Sequence, residues 1–268
     1  MNNLHRELAP VSDQAWTQIE EEAARTLKRH LAARRVVDVP APKGLAFSAV
    51  GTGHVHRIQA PGDGIQVAQW DTKALVEVRV PFELSRQQID DVERGAMDAD
   101  WSPVKEAARK IAFAEDRAVF DGYAAAGIQG IRQGSSNPGL ALPSNVRAYP
   151  DVIAQAVSQL RLAGCNGPYA LVLGADAYTA ASGGSNEGYP VFRHIEHVVD
   201  GGVIWAPALE GAFLLTTRGG DFELDIGQDV SIGYSSHSST AVELYFFETF
   251  TFRLLTSEAS VVLASAEK

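Results

Sequence analysis

Two histidine pairs come first among the residues that could carry chemistry. His54 and His56 lie two apart in a run that reads as a strand, so both rings point to one side. His194 and His197 lie three apart in a run that reads as a helix, with Glu196 and Asp200 close by. Either spacing suits a transition metal, and a metal-dependent hydrolase is the enzyme class it would serve. No third ligand stands beside the first pair, and a solvated helix face accounts for the second. The segment Gly51-Thr52-Gly53-His54-Val55-His56 begins like a dinucleotide fingerprint, but it lacks the third glycine and does not open a helix. Gly183-Gly184-Ser185-Asn186-Glu187 misses the Gly-x-Ser-x-Gly spacing of a nucleophile elbow. Asp90-Asp91 and Asp98-Asp100 read as solvated surface charge rather than acid–base partners. Cys165 is the single cysteine, which removes a disulfide framework and a cysteine zinc site. No nucleophile–base pair emerges, so the question becomes what the chain assembles with.

Composition narrows the classes. The 268 residues suit one large domain or two small ones, and 46% hydrophobic content is ample for a core. A net charge of −10 opposes nucleic-acid binding, which needs a basic footprint. No apolar run approaches the ~18 residues of a membrane span, and MNNLHRELAPVSDQAW has no apolar core of a secretory signal. A reducing cytoplasm is the expected compartment.

The elements that must position any site are legible in turn. Ser12 predicts a helix cap, followed by Trp16, Ile19, Ala23, Leu27 and Leu31 on one face. Between residues 44 and 75, short extended runs flank the turn Pro61–Gly64, predicting a long hairpin arm with too little core of its own. Val76, Val78, Val80, Phe82 and Leu84 alternate as a half-exposed strand. A helix over 85–97 follows. A second helix opens at Ser102-Pro103, with the hydroxyl as cap, and runs as a spine to about Ala126. From Tyr149 an α/β rhythm begins, interrupted by the loop SGGSNEG over 182–188. That loop is either ordinary surface or, set around a symmetry axis, a narrow acidic opening. The block Gly219 to Tyr234 reads as strands bent by tight turns and made for packing. In the last long strand the even positions Val242, Leu244, Phe246, Phe250, Phe252 and Leu254 share a face, and Glu248 breaks the pattern as a bend or a polar contact.

Several blocks together carry a family likeness. LHRELAPVSDQAWTQIEEEA, AARRVVDV, DDVERGA, GPYALVLG, GGDFELDIGQDVSIGY and LYFFETFTFRLL, in this order along essentially the whole chain, resemble the encapsulin shell proteins. The likeness is closest to the actinobacterial branch of the class long filed under the bacteriocin name linocin. The resemblance implies an α+β chain with the tailed-phage major capsid protein fold (Hong Kong 97 phage-like). Residues 1–43, 76–129 and 221–268 would form a peripheral domain, 44–75 the extended arm and 130–220 an axial domain.

The resemblance further implies a homo-oligomer of about 60 subunits in the smallest (T=1) icosahedral shell. The cargo would be a dye-decolourising peroxidase or a ferritin-like protein, held by its C-terminal targeting peptide. Carried onto this chain, the docking groove would involve Arg34, Val36, Asp38, Ile226, Asp229 and Ile232. Gly184, Ser185, Asn186 and Glu187 would line the fivefold pore. Gln87 stands where flavin-binding members carry a tryptophan, so no cofactor is implied. The competing readings are a metal-dependent hydrolase, a secreted bacteriocin-like or proteolytic factor, and the capsid protein of an integrated phage.

Overall fold

A computed structural model describes residues 3–265. Helix α1 (Asp13–His30) starts where the sequence predicts, with the Ser12 hydroxyl accepting from the Ala15 N–H at 3.3 Å. Lys28, Arg29 and His30 fill its last turn, where the helix dipole favours cations. Ala15, Ile19 and Ala23 are buried, whereas Trp16 and Leu27 are only half-buried, so part of the apolar stripe remains open.

The arm is present as β1 (Ala49–Ile58) and β2 (Val67–Ala74), paired antiparallel from Ala49 with Ala74 to Ile58 with Val67. Neither strand pairs with anything else, and within residues 49–74 only Val50 is buried. β3 (Val76–Ser85) follows without a break. Helix α2 (Arg86–Glu93) is shorter than the expected 85–97, because Gly95 takes a φ of 100° that no helix continues.

The spine, α3 (Ser102–Phe120), opens at the expected residue but differs in its capping group and in its far end. Its first N–H is capped by the Asp100 carboxylate, which accepts from Ser102 N at 2.9 Å, rather than by the Ser102 hydroxyl. It stops at Phe120 instead of near Ala126, because Gly122 turns back with a φ of 79° and packs directly on Gly130. There, a Cβ on Gly130 would fall 2.2 Å from Gly122 N.

The middle of the chain comprises α4 (Ile131–Gly134), β4 (Leu140–Leu142), α5 (Tyr149–Leu162), β5 (Tyr169–Leu173) and α6 (Ala175–Gly183). A two-strand hairpin of β6 (Ser185–Asn186) and β7 (Tyr189–Pro190) leads to α7 (Val191–Val198), β8 (Val203–Trp205) and β9 (Ala212–Thr216). The chain then adds β10 (Phe222–Ile226), β11 (Ser231–His237), β12 (Ala241–Leu254) and β13 (Ser260–Ser265).

Two larger sheets organise these elements. In the first, β12 takes β3 along one edge and β11 then β10 along the other, all antiparallel. The even residues of β12 that the sequence placed on one face, from Val242 to Phe252, are buried. Each fully buried phenylalanine contributes about 2–3 kcal/mol. Glu248 lies among them as a buried polar contact and not as a bend, since pairing with β3 continues through it.

The second sheet is mixed, in the order β4-β13-β9-β5-β8. Every residue of β5 and β9 is buried, as befits strands covered on both faces. The segment 221–268, expected to be peripheral, divides between the two sheets. Its strands β10, β11 and β12 lie in the first sheet, but β13 enters the second, between β4 and β9. Its run Val261-Val262-Leu263 supplies the apolar filling that position needs.

Candidate functional site

The implied docking residues separate into three places. Ile232 lines an open groove of about 260 Å³ between α1 and the β11–β12 edge. Leu4, Ala23, Leu27, Val230 and Phe246 share its walls, and Arg6 with Glu20 stands at its rim, paired at 2.5 Å. Ala23 and Ala24 on α1 leave the depression, and the half-buried Leu27 is part of its wall. Val36 and Asp38 instead border a separate dimple of about 120 Å³ with Thr216, Gly219 and Phe222. There the Asp38 carboxylate accepts from Gly220 N at 2.5 Å, and Asp38 bridges Glu223 through backbone bonds, so it serves a turn. Ile226 is buried in the main core and opens onto neither depression.

Arg34 occupies the third place, a charge cluster between the spine and β12. Its Nε donates to both oxygens of Glu115 at 3.0 and 2.9 Å, and Nη2 donates to Glu115 Oε2 at 2.6 Å. Nη2 also reaches Glu248 Oε1 at 2.5 Å, and Nη1 reaches Asp229 Oδ1 at 2.7 Å. Burial disfavours the guanidinium charge, yet the hydrogen bond and charge of Glu115, with Glu248 and Asp229, outweigh it and raise the Arg34 pKa further. Burial pushes the Glu248 carboxyl well above its ordinary range, reinforced by Glu115. The neighbouring Asp116 is pushed up to about 8 by burial, against the N–H groups of Ala33 and Ala32, which favour its charged form. Glu115, Asp116 and Glu248 are fully buried, while the Asp229 side chain is 48% exposed and directly precedes the groove-lining Val230.

The sequence reading identifies Arg34, Asp229 and the break at Glu248. It misses Glu115 and Asp116, whose partners lie more than 80 residues away. Two consecutive acids among the buried positions of the spine are the signal that could have found them.

The implied pore residues sit at one projecting tip. Glu187 and Gly188, with φ of 49° and 86°, form the two-residue turn between β6 and β7, a type I′ geometry. Ser185, Asn186 and Glu187 are exposed. Gly184 is wedged against Val146, where a Cβ would fall 2.8 Å from the valine side chain. Arg147 Nε steadies the base by donating to Ser185 O at 3.1 Å.

One histidine of each pair makes a local contact. His56 pairs with Asp71 at 2.6 Å across the hairpin, and His194 packs edge-on against Tyr189 at 4.6 Å. Among the described residues, no group of three or more His, Cys, Asp or Glu side chains is arranged to hold a metal ion.

Comparison with known proteins bears on these features. Residues 1–251 match the family model described as "Encapsulating protein for peroxidase". The type 1 encapsulin shell protein of Mycobacterium tuberculosis is 58% identical over 264 residues, covering 98% of this chain and 100% of that protein. Among solved structures, the virus-like particle from Pyrococcus furiosus aligns with a TM-score of 0.66 at 16% identity, over 92% of this chain and 98% of that one. The capsid of Myoviridae phage XM1 aligns with a TM-score of 0.52 at 13% identity, over 87% and 91%. The fold is that of tailed-phage major capsid proteins.

Proposed function

The chain belongs to the encapsulin shell-protein family and is therefore a structural subunit of a nanocompartment, not an enzyme, and from that premise we propose how its parts build and fill the shell. About 60 copies close into the smallest icosahedral particle, each interface repeated by symmetry. The observation that carries this reading is the β1–β2 ribbon. It contributes Val50 to its own core and leaves Val55, Ile58, Ile65 and Trp70 exposed. An isolated hairpin is marginal in water, so a neighbouring copy supplies the missing cover. In this reading residues 1–43, 76–129 and 221–258 form the peripheral domain, 44–75 the arm, and 130–220 with β13 the axial domain.

The α1–β11 groove receives the C-terminal targeting peptide of the cargo. Its apolar walls suit Leu or Ile anchors, and Asp229 and the Arg6–Glu20 pair at its margins suit polar ones. Ile232 and Asp229 would touch the peptide, while Arg34, Val36, Asp38 and Ile226 hold the surrounding structure. The description of the matching family supports a peroxidase as cargo; in this reading it is of the dye-decolourising type, with a ferritin-like iron oxidase as the second class. Hairpin tips bearing Gly184, Ser185, Asn186 and Glu187 would surround the fivefold axis and filter solutes by size and charge. The compartment is cytoplasmic in this reading. No helix among the described residues is long and apolar enough to cross a membrane.

Light scattering on the purified protein, followed by mass spectrometry of what travels with it, tests the proposal. A megadalton particle carrying a peroxidase or ferritin-like protein is expected, and a monodisperse monomer at physiological ionic strength overturns it. Leu27→Asp and Ile232→Ala should each lower cargo yield without dissolving particles. Undiminished loading in both variants would reject the groove.

A further inference from the structure

Donor count, charge count and burial converge on one hydrogen in the interior. Arg34 is the cation facing Glu248. From the spine comes Glu115, with Asp116 one residue further on; from the turn between β10 and β11 comes Asp229; from β3 the residue opposite Glu248 is the apolar Val78. Arg34 gives two of its nitrogens to Glu115 and spends a single contact on Glu248, at Oε1. Glu248 Oε2 is buried with no hydrogen-bond partner, and Glu115 shares Arg34 Nη2 with the same carboxyl group, through Oε2 at 2.6 Å against 2.5 Å for Glu248 Oε1.

Two ionised carboxylates cannot bond each other, and a buried oxygen without a partner forfeits its hydration, at greater cost when it is charged. With Glu115, Glu248 and Asp229 all ionised, one guanidinium would face three negative groups, two of them sealed from solvent. We propose that Glu248 is protonated in the folded subunit and donates from Oε2 to Glu115, so that one hydrogen fastens the spine helix to the middle of β12. Arg34 then neutralises Glu115, and every buried oxygen of Glu248 has a partner.

The fastening is lost in alkali. A carboxyl whose folded pKa lies above its unfolded one contributes fully below about 4.3, the ordinary glutamate value, and loses that contribution as pH rises through the folded value. Burial raises Glu248 in this direction. The proton belongs to the single subunit and is present whether or not the particle forms.

Infrared spectroscopy of assembled particles with 13C-labelled glutamate reads this hydrogen directly, and the labelling separates it from Asp116. At neutral pH the wild-type spectrum should contain one protonated-carboxyl stretch that shifts with the label. The band should be lost in Glu248→Gln and fade in alkali in step with the thermal midpoint. Glu248→Gln keeps the shape and an N–H donor, so its midpoint should fall less with rising pH than that of the wild type. Absence of a label-sensitive band in the wild type overturns the proposal, even if the variant fails to fold. So does a midpoint lowered equally at every pH in Glu248→Gln.

Discussion

Asp116 is pulled in two directions. Burial in the spine raises its carboxyl to about 8, while the N–H groups of Ala32 and Ala33, at 3.1 and 2.8 Å, reward the ionised form. The raised folded value fixes the sign of its pH effect: its contribution is complete below about 4 and is lost as pH climbs through about 8. Asp116→Asn can accept from only one of the two N–H groups with its single oxygen, which costs about 1–2 kcal/mol. Its deficit should therefore be largest in acid and narrow above about pH 8; thermal melts across that range check this. At the residue scale the sequence was informative where a residue broke a pattern. Glu248 interrupted an apolar alternation and proved to be a polar contact. Glu115 and Asp116 interrupted nothing obvious, because a 3.6-residue period tolerates acids on its flanks, and their partner loop is joined only by the fold. Asp38 and Ile226 show the opposite limit: matching a family position did not reveal that one closes a turn and the other fills the core.

Elements were legible where local chemistry decides them. The Pro61–Gly64 turn, the Ser12 cap and the alternation of β3 each rest on neighbours in sequence, and each lies where expected. The spine opens at Ser102 as expected, but its capping group and its far end depend on what the backbone does next: Asp100 supplies the cap, and Gly122 turns the chain onto Gly130. β13 was harder still, since its parallel partner β4 precedes it by more than 100 residues. The arm makes a prediction of its own kind. Trp70, 69% exposed, has nothing to hold it within the subunit. Trp70→Asp should leave the melting of the isolated subunit within about 0.5 kcal/mol. It should nevertheless abolish particles, because a central aromatic anchor is worth about 2–4 kcal/mol at each repeated interface. Analytical ultracentrifugation shows which occurs, and normal particles from the variant would remove Trp70 from the interface.

The whole molecule divides its stability unevenly. The two larger sheets and the helices packed on them carry the buried apolar cores, with the Arg34 cluster joining α3 to the first sheet. The family assignment was legible because blocks spread over the entire chain carried it together, whereas the separation of the implied docking residues required three dimensions. The ribbon's isolation from these cores also determines the fate of a subunit that finds no neighbours. Arg57 and Lys73 lie on two strands that melt without disturbing anything else, so a stray copy offers a protease an extended substrate while its globular body stays intact. Brief trypsin treatment should nick dilute subunits within residues 57–73 and spare assembled ones. Incorporation would thereby set the lifetime of each copy, clearing surplus chains before their open strand edges can recruit one another into aggregates.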